Sequence, residues 1–214
     1  MIQIIPAILA TTEEVFKKDI ERLQISQSLV EGWVHIDFAD GEFVQNKTVD
    51  VSVIERNPTN LHKEAHLMVA HPKEWIYDLV KAGFERIIFH IESKDDISEV
   101  ISEIKNKGLE VGIAINSETS VEKLKPFMST IDKVLVMTVI PGFQGQEFIS
   151  ESLNKVKKIK SQNSEIIVGV DGAVRDTNIK EIIETGADFV VIGSYILKGS
   201  IEENMENIWE IING

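Results

Sequence analysis

"DDISEVISEIKNKGLEVGIAIN", from Asp95 to Asn116, contains one full turn of the pattern on which the chain is built. Ile97, Val100, Ile101 and Ile104 recur at the spacing of one helical face, so an amphipathic helix is predicted there. Gly108 closes that stretch, and Glu110–Ile115 follows as a short β-branched strand ending at Asn116. Seven further candidate strands are Gln3–Ile8, Trp33–Asp37, His62–Met68, Arg86–His90, Lys133–Met137, Glu165–Val170 and Phe189–Ile192. Amphipathic stretches such as "TTEEVFKKDIERLQ" lie between most of them. Strand followed by helix, with no linker and no shift in composition, implies a parallel sheet in one domain. Eight strands in a chain of 214 residues fit the lower size of a (β/α)8 barrel, whereas an open doubly wound sheet usually has fewer strands at this length. The expectation is therefore an α/β protein, a single-domain (β/α)8 TIM barrel over residues 1–214. The second connection, "GEFVQNKTVDVSVIERNPTN", is the least regular, with only a short helical piece at Val51 to Arg56.

Composition narrows the function classes. With 35 acidic against 22 basic residues the net charge is −13, which disfavours nucleic acid or an anionic membrane surface as partner. A phosphorylated substrate is still compatible if backbone N–H groups or a metal ion attract it locally. Cysteine is absent, which excludes disulfides and thiolate metal sites and makes a reducing cytoplasm the expected location. The N-terminal stretch "MIQIIPAILATTEEVFKK" lacks a charged leader and is broken by Pro6, and no run approaches the roughly 18 apolar residues of a membrane span.

Active-site residues of such barrels stand at the C-terminal ends of the strands. Those ends read "PAIL", "HID", "EAHLMV", "FHIE", "IAIN", "VMTVIPGFQGQ", "GVDGAV" and "VIGSYI". His35 and Asp37 are two residues apart, so they share one face of their strand. A carboxylate on the inward face needs a compensating cation or hydrogen bonds, and a divalent metal meets that need. His66 and Asp171 complete a set of two imidazoles and two carboxylates from three strands. Such a mixed set suits Zn, Mn, Fe or Co better than Ca or Mg. Taken singly, each residue could be a hydrogen-bonded core or cap residue; together, at the catalytic end, ligation is the more economical reading. Asp40, past the strand in "DG", reads as a turn residue.

Glycines gather after the sixth, seventh and eighth strands, in "PGFQGQ", at Gly172 and in the Gly193–Ser194 pair. Loops of this kind after the last strands commonly hold phosphate. Metal, phosphate and two carboxylates in one pocket point to proton transfer beside a carbonyl. A metal at the ketone and its neighbouring hydroxyl stabilises the enediolate while one carboxylate removes a proton and the other returns one to the opposite face. The outcome is epimerisation.

In "HIDFADGEFVQN", "HLMV", "MTVIPGFQGQEF", "VDGAV" and "GADFVVIGSYI", taken in that order, the chain resembles the ribulose-phosphate 3-epimerase family over essentially its whole length. The resemblance implies an isomerase of carbohydrate metabolism, on the pentose phosphate route, that interconverts D-ribulose 5-phosphate and D-xylulose 5-phosphate with one divalent metal ion. It implies metal ligation by His35, Asp37, His66 and Asp171, with Asp37 and Asp171 as the acid/base pair. It further implies phosphate contacts at Gly142, Gly145, Gly172, Gly193 and Ser194, mostly through backbone donors, and a pocket lined by Met68 and Met137. Members of the family often associate, so a homo-oligomer is expected. His90 and Glu92 are expected to support the site rather than ligate, and His62 and His71 read as surface or loop residues.

The chain departs from the family pattern at Ala7, where serine is usual, and at Ala39, where methionine is usual. Gln45, Ile140, Gln144 and Ala173 depart as well, the last replacing the second glycine of "DGG". These changes leave the ligand set whole and bear on the substrate. They keep two alternatives open: 3-epimerisation of a hexulose phosphate such as D-allulose 6-phosphate, for which Ala39 would leave room, and a non-catalytic barrel that binds a sugar phosphate.

Overall fold

Three of the described helices begin where a short polar side chain satisfies a free N–H group of the first turn. Thr12 caps α1 (Glu13–Gln24) by accepting from the Val15 N–H, and Asp96 caps α4 (Ile97–Asn106) by accepting from that of Glu99. Ser200 does the same for α8 (Ile201–Asn213) through Glu203. In α4 the residues Val100, Ile101 and Ile104 are buried, the face that the sequence spacing predicts.

The computed structural model describes residues 2–29, 32–142 and 145–214. Its strands are β1 (Gln3–Ile8), β2 (Trp33–Ala39), β3 (His62–Met68), β4 (Arg86–His90), β5 (Glu110–Ile115), β6 (Lys133–Met137), β7 (Ile167–Asp171) and β8 (Phe189–Ile192). All neighbours are parallel, and β1 pairs with both β2 and β8, so the sheet closes as an eight-stranded barrel in sequence order. Between them lie α2 (Val51–Arg56), α3 (Lys73–Lys81), α5 (Leu153–Gln162) and α6 (Ile179–Ile183), and α7 (Ser194–Leu197) follows β8. A 3-10 turn at Val121–Leu124 takes the place of a helix between β5 and β6.

Two strand limits differ from expectation. β2 runs on to Ala39 because the ladder with β3 continues to the pair Ala39 and Met68; there the Ala39 N–H donates to Thr48 Oγ1 at 2.9 Å and its carbonyl accepts from the Thr48 N–H at 3.1 Å. β7 occupies Ile167–Asp171 rather than Glu165–Val170, which makes Asp171 the last residue of its strand.

Alternation of side chains along each strand divides the core in two. Val34, Ile36 and Phe38 of β2 face outward into the large cluster shared with the helices. Ile5, Ala7, Ile88, Ala114, Leu135, Met137, Phe189 and Val191 face inward and form a smaller apolar cluster. Phe189 fits there because residue 169 is glycine: a Cβ at that position would lie 2.1 Å from Phe189 Cζ. The apolar filling stops at β2 and β3. Their inward positions are His35, Asp37, Glu64 and His66, all buried, with buried Arg86 and Lys133 on β4 and β6. A barrel that keeps this much charge in its interior must pair it, and the pairing defines the site.

Candidate active site and metal centre

Parallel pairing sets the candidate ligands level with one another. Asp37 of β2 lies beside His66 of β3, and Met137 of β6 beside Asp171 of β7. His35 sits two residues below Asp37 on the same face. The donor atoms of His35, Asp37, His66 and Asp171 all lie within 4.8 Å of one another. His66 Nδ1 is 2.8 Å from Asp37 Oδ1 and 3.7 Å from Asp171 Oδ2. His35 Nε2 is 3.4 Å from Asp37 Oδ1 and 3.9 Å from Asp171 Oδ2. Bonds of about 2.0–2.2 Å in a tetrahedron place neighbouring donors roughly 3.3–3.6 Å apart, and these separations bracket that spacing.

The donors also have the chemistry that a cation requires. His35 is fully buried, and its Nε2 has no hydrogen-bond partner of acceptable geometry, an uncommon state for a buried polar atom. The other ring nitrogen, Nδ1, lies 2.6 Å from Glu64 Oε1, so it carries the proton and Nε2 presents its lone pair to the site. His66 is turned the opposite way: Nδ1 faces the carboxylates and Nε2 lies 2.9 Å from His90 Nε2. His90 Nδ1 in turn faces Glu92 Oε2 at 3.3 Å, and Glu92 Oε1 accepts from the Asn116 N–H. These residues fit one divalent ion, held by two imidazoles and two carboxylates.

Without that ion the charges sort themselves by burial and contact. Burial opposes a charge on His35, yet the carboxylates of Asp37 and Glu64 beside its two ring nitrogens prevail and raise its pKa to about 10. Burial also resists ionisation of Asp37, but His35 and His66 together hold its carboxyl well below the usual range. Asp171 moves in the other direction: burial, then the charge of Asp37, push it up to about 6. Burial keeps His90 neutral, with a pKa lowered to about 4. Two carboxylates beside the same pair of imidazoles thus differ in proton affinity, a common arrangement where one acts as base and the other as acid.

One cavity extends from Asp37 and Asp171 to the glycine loops. Gly142, Gly145, Gly172, Gly193 and Ser194 all line it, as do Ala7, Met68, Met137 and Ala173. Gly172 has φ +121°, and a Cβ there would lie 2.7 Å from Val139 Cγ2 and 2.9 Å from the Val139 nitrogen, so only glycine fits. Thr138 pins this loop to β6 by donating its hydroxyl to the carbonyls of Asp171 and Gly172 at 3.0 and 2.7 Å. Asn46 Nδ2 donates to the Gly142 carbonyl at 2.8 Å, which ties the loop after β2 to the loop after β6 across the mouth.

Several expectations need correction or sharpening. Ala39 does not line the cavity: it is 1% exposed, and its backbone bonds to Thr48 keep it beneath the loop that follows β2. Ile140 is 64% exposed and outside the cavity wall, as is exposed Gln45. Gln144 lies outside the described residues. Of the departures from the family pattern, Ala7 and Ala173 are therefore the ones in the described wall. Asp40 does form the expected turn, accepting from the N–H groups of Glu42 and Phe43, and it also accepts from Ala70 at 2.6 Å, bracing the end of β3. His62 and His71 sit outside the site, bonded to Glu85 and Asp95. Sequence reasoning missed Glu64, Arg86 and Lys133 inside the barrel, and Arg175, the cationic side chain of the described cavity lining. Glu64 was within reach of the same-face rule, since it stands two residues before His66.

Comparison with known proteins agrees with this geometry. Residues 3–197 match the model of the ribulose-phosphate 3 epimerase family. A ribulose-phosphate 3-epimerase of Treponema pallidum is 37% identical over 175 residues, covering 79% of this chain and 80% of the relative. The cytoplasmic isoform of the Oryza sativa subsp. japonica enzyme is 38% identical over 170 residues, covering 77% of this chain and 75% of the relative. Among solved structures, 3-hexulose-6-phosphate synthase superposes with a TM-score of 0.71 at 16% identity, over 98% of this chain and 99% of that one. A 3-keto-L-gulonate-6-phosphate decarboxylase of Vibrio cholerae gives 0.73 at 11% identity, over 99% and 97%. At such identities these two speak for the barrel alone. The family match over most of the length, together with relatives above one-third identity, places the chain in the ribulose-phosphate 3-epimerase family.

Proposed function

We propose that the chain is a metal-dependent 3-epimerase that interconverts D-ribulose 5-phosphate and D-xylulose 5-phosphate. One observation carries the reading: Asp37 and Asp171, brought from β2 and β7, adjoin the same two imidazoles, with all four donor atoms within 4.8 Å of one another. Asp37, ionised, removes the C3 proton from one face of the ketose. Asp171, on the other side of the imidazole pair, delivers one to the other face, and the reverse reaction exchanges the roles. A divalent ion held by His35, Asp37, His66 and Asp171 supplies positive charge beside the oxygens on which negative charge develops as the C3 proton leaves. Met68, Met137 and Val191 provide an apolar wall that keeps water from the deprotonated carbon. Gly142, Gly145, Gly172, Gly193 and Ser194 receive the phosphate and so fix the position of C3 along the cavity.

The names of the curated relatives support the pentulose pair. The hexulose phosphate alternative has lost the room that Ala39 was expected to leave, because Ala39 is not part of the cavity wall. A barrel that merely binds would not need a proton acceptor and a proton donor. One catalytic domain in the cytoplasm, self-association, and no nucleic-acid or membrane partner complete the reading. The acidic charge and the lack of cysteine support it, and no helix among the described residues is long and apolar enough to cross a membrane. The test is protein loaded with Zn²⁺, Mn²⁺ or Fe²⁺ and incubated with ribulose 5-phosphate in D₂O. Xylulose 5-phosphate carrying deuterium at C3 is expected; neither product nor exchange would overturn the assignment.

A further inference from the structure

Beneath the ligand set lies a second layer of charge outside the cavity lining. Glu64 is fully buried. Its Oε1 accepts from His35 Nδ1 at 2.6 Å, and its Oε2 accepts from Arg86 Nη1. Arg86, itself 5% exposed, donates from Nε to Glu110 Oε2 at 2.7 Å, and its guanidinium carbon sits 3.8 Å from the centre of the Trp33 ring. Lys133, 2% exposed, lies with its ammonium 4.9 Å from the centre of the Phe189 ring. Glu64, Arg86 and Lys133 all lie outside the cavity lining.

Stability does not account for this layer. Exchanging a buried ion pair for apolar side chains of similar volume is often neutral or stabilising, so a barrel gains little by burying a carboxylate and a guanidinium. What the layer does contact is His35. Both oxygens of Glu64 are committed, one to each partner, so the carboxylate cannot swing away and the imidazole cannot flip. The charges also balance around a cation. With Arg86 offset by Glu110 and Glu64 by Lys133, the charge left over is that of Asp37 and Asp171, equal and opposite to one divalent ion.

We propose that Glu64, clamped by Arg86, is a positioning residue that holds His35 as its Nδ1–H tautomer, aims Nε2 at the metal, and thereby sets metal affinity. The proposal rests on the metal centre described above and not on which sugar is turned over. It also ranks the two imidazoles. His35 is backed directly by an anion, whereas His66 is backed by His90, with Glu92 one step further out. Loss of Glu64 therefore weakens the metal more than loss of Glu92 does.

The experiment measures zinc affinity by competition with a chromophoric chelator, and the His35 tautomer in the zinc-bound protein by ¹⁵N chemical shifts of the ring, in wild type, Glu64→Gln, Glu92→Gln and the double variant Glu64→Met/Arg86→Met. Glu64→Gln is expected to bind zinc roughly 10- to 100-fold more weakly, with Glu92→Gln affected less. Glu64→Gln leaves Arg86 short of its buried partner and could fold poorly. The double variant removes both charges, and its thermal unfolding reports whether the fold is kept. A folded double variant with weakened zinc binding and mixed His35 tautomers supports the proposal. A folded double variant that binds zinc within twofold of wild type and keeps the Nδ1–H tautomer overturns it, because the pair would then be structural. Wild type that binds no divalent ion overturns it as well, together with the metal centre. Loss of epimerase activity alone, with affinities ordered as expected, would count against the substrate assignment and leave this proposal standing.

Discussion

Acidification should release the metal in a defined way, because the ion and a proton compete for the same atoms. In the metal-free protein His35 has its pKa raised to about 10, so at pH 7 its imidazole is protonated and a metal must displace that proton. Three pH units at about 1.4 kcal/mol each put the cost at about 4 kcal/mol, a factor of roughly a thousand in apparent affinity at pH 7 relative to pH 10. The sign follows from the raised value: affinity climbs as pH rises towards about 10, close to one decade per unit. Asp171, pushed up to about 6, adds a second competing proton below that pH, so the slope steepens towards two decades per unit. Chelator competition from pH 5 to 8.5 measures the slope. Calorimetry in buffers of different ionisation enthalpy counts the protons released, with about one expected at pH 7.5 and more at pH 5.5. An affinity that is flat between pH 6.5 and 8.5, or release of well under half a proton at pH 7.5, would refute the idea that His35 holds a proton when the metal is absent.

Three substitutions probe other parts of the site. Asp37→Asn should abolish deuterium exchange at C3, and near-normal turnover would remove Asp37 from the base role. Gly172→Ala forces a side chain into φ +121° and against the Val139 backbone, so it should cost about 1–3 kcal/mol in urea unfolding and raise KM for the phosphorylated sugar. An unchanged midpoint would show that the loop after β7 can yield. Ala173→Gly works in the other sense: Ala173 has φ +52°, the left-handed region, and glycine there relieves strain while loosening the unfolded chain. The two effects nearly cancel, so unfolding free energy should change by no more than about 1 kcal/mol, and a larger loss would mean that the Ala173 methyl packs usefully.

Much of the barrel could be read from the sequence because its two periodicities are local. Ile97, Val100, Ile101 and Ile104 follow 3.6 and are buried on one face, and the strands follow 2. His35 and Asp37 were legible for the same reason, as a pair that period two forces onto one face. The limits at Ala39 and Asp171 were less so, since each depends on a partner elsewhere. Pairing with Met68 on β3 extends β2 to Ala39, and bonds to Thr48 that no property of Ala39 announces are why Ala39, read as a wall of the pocket, ends beneath a loop. The opposed proton affinities of Asp37 and Asp171 were illegible in principle, because they arise from burial, from the imidazoles beside Asp37 and from the charge of Asp37 beside Asp171, and not from residue type.

The interior charges at Glu64, Arg86 and Lys133 were missed for a different reason. A barrel is searched for function at the C-terminal ends of its strands, and these three stand towards the other end, on the same inward face as His66, His90 and Met137. Period two therefore predicts that they point inward as firmly as it does for His35, and a charge pointing inward must find a partner. Glu64 finds two, and one of them is a metal ligand. Chemistry at the mouth of this barrel thus depends on residues well below it. A search confined to strand ends finds the atoms that hold the ion and misses the carboxylate that determines which way one of them faces.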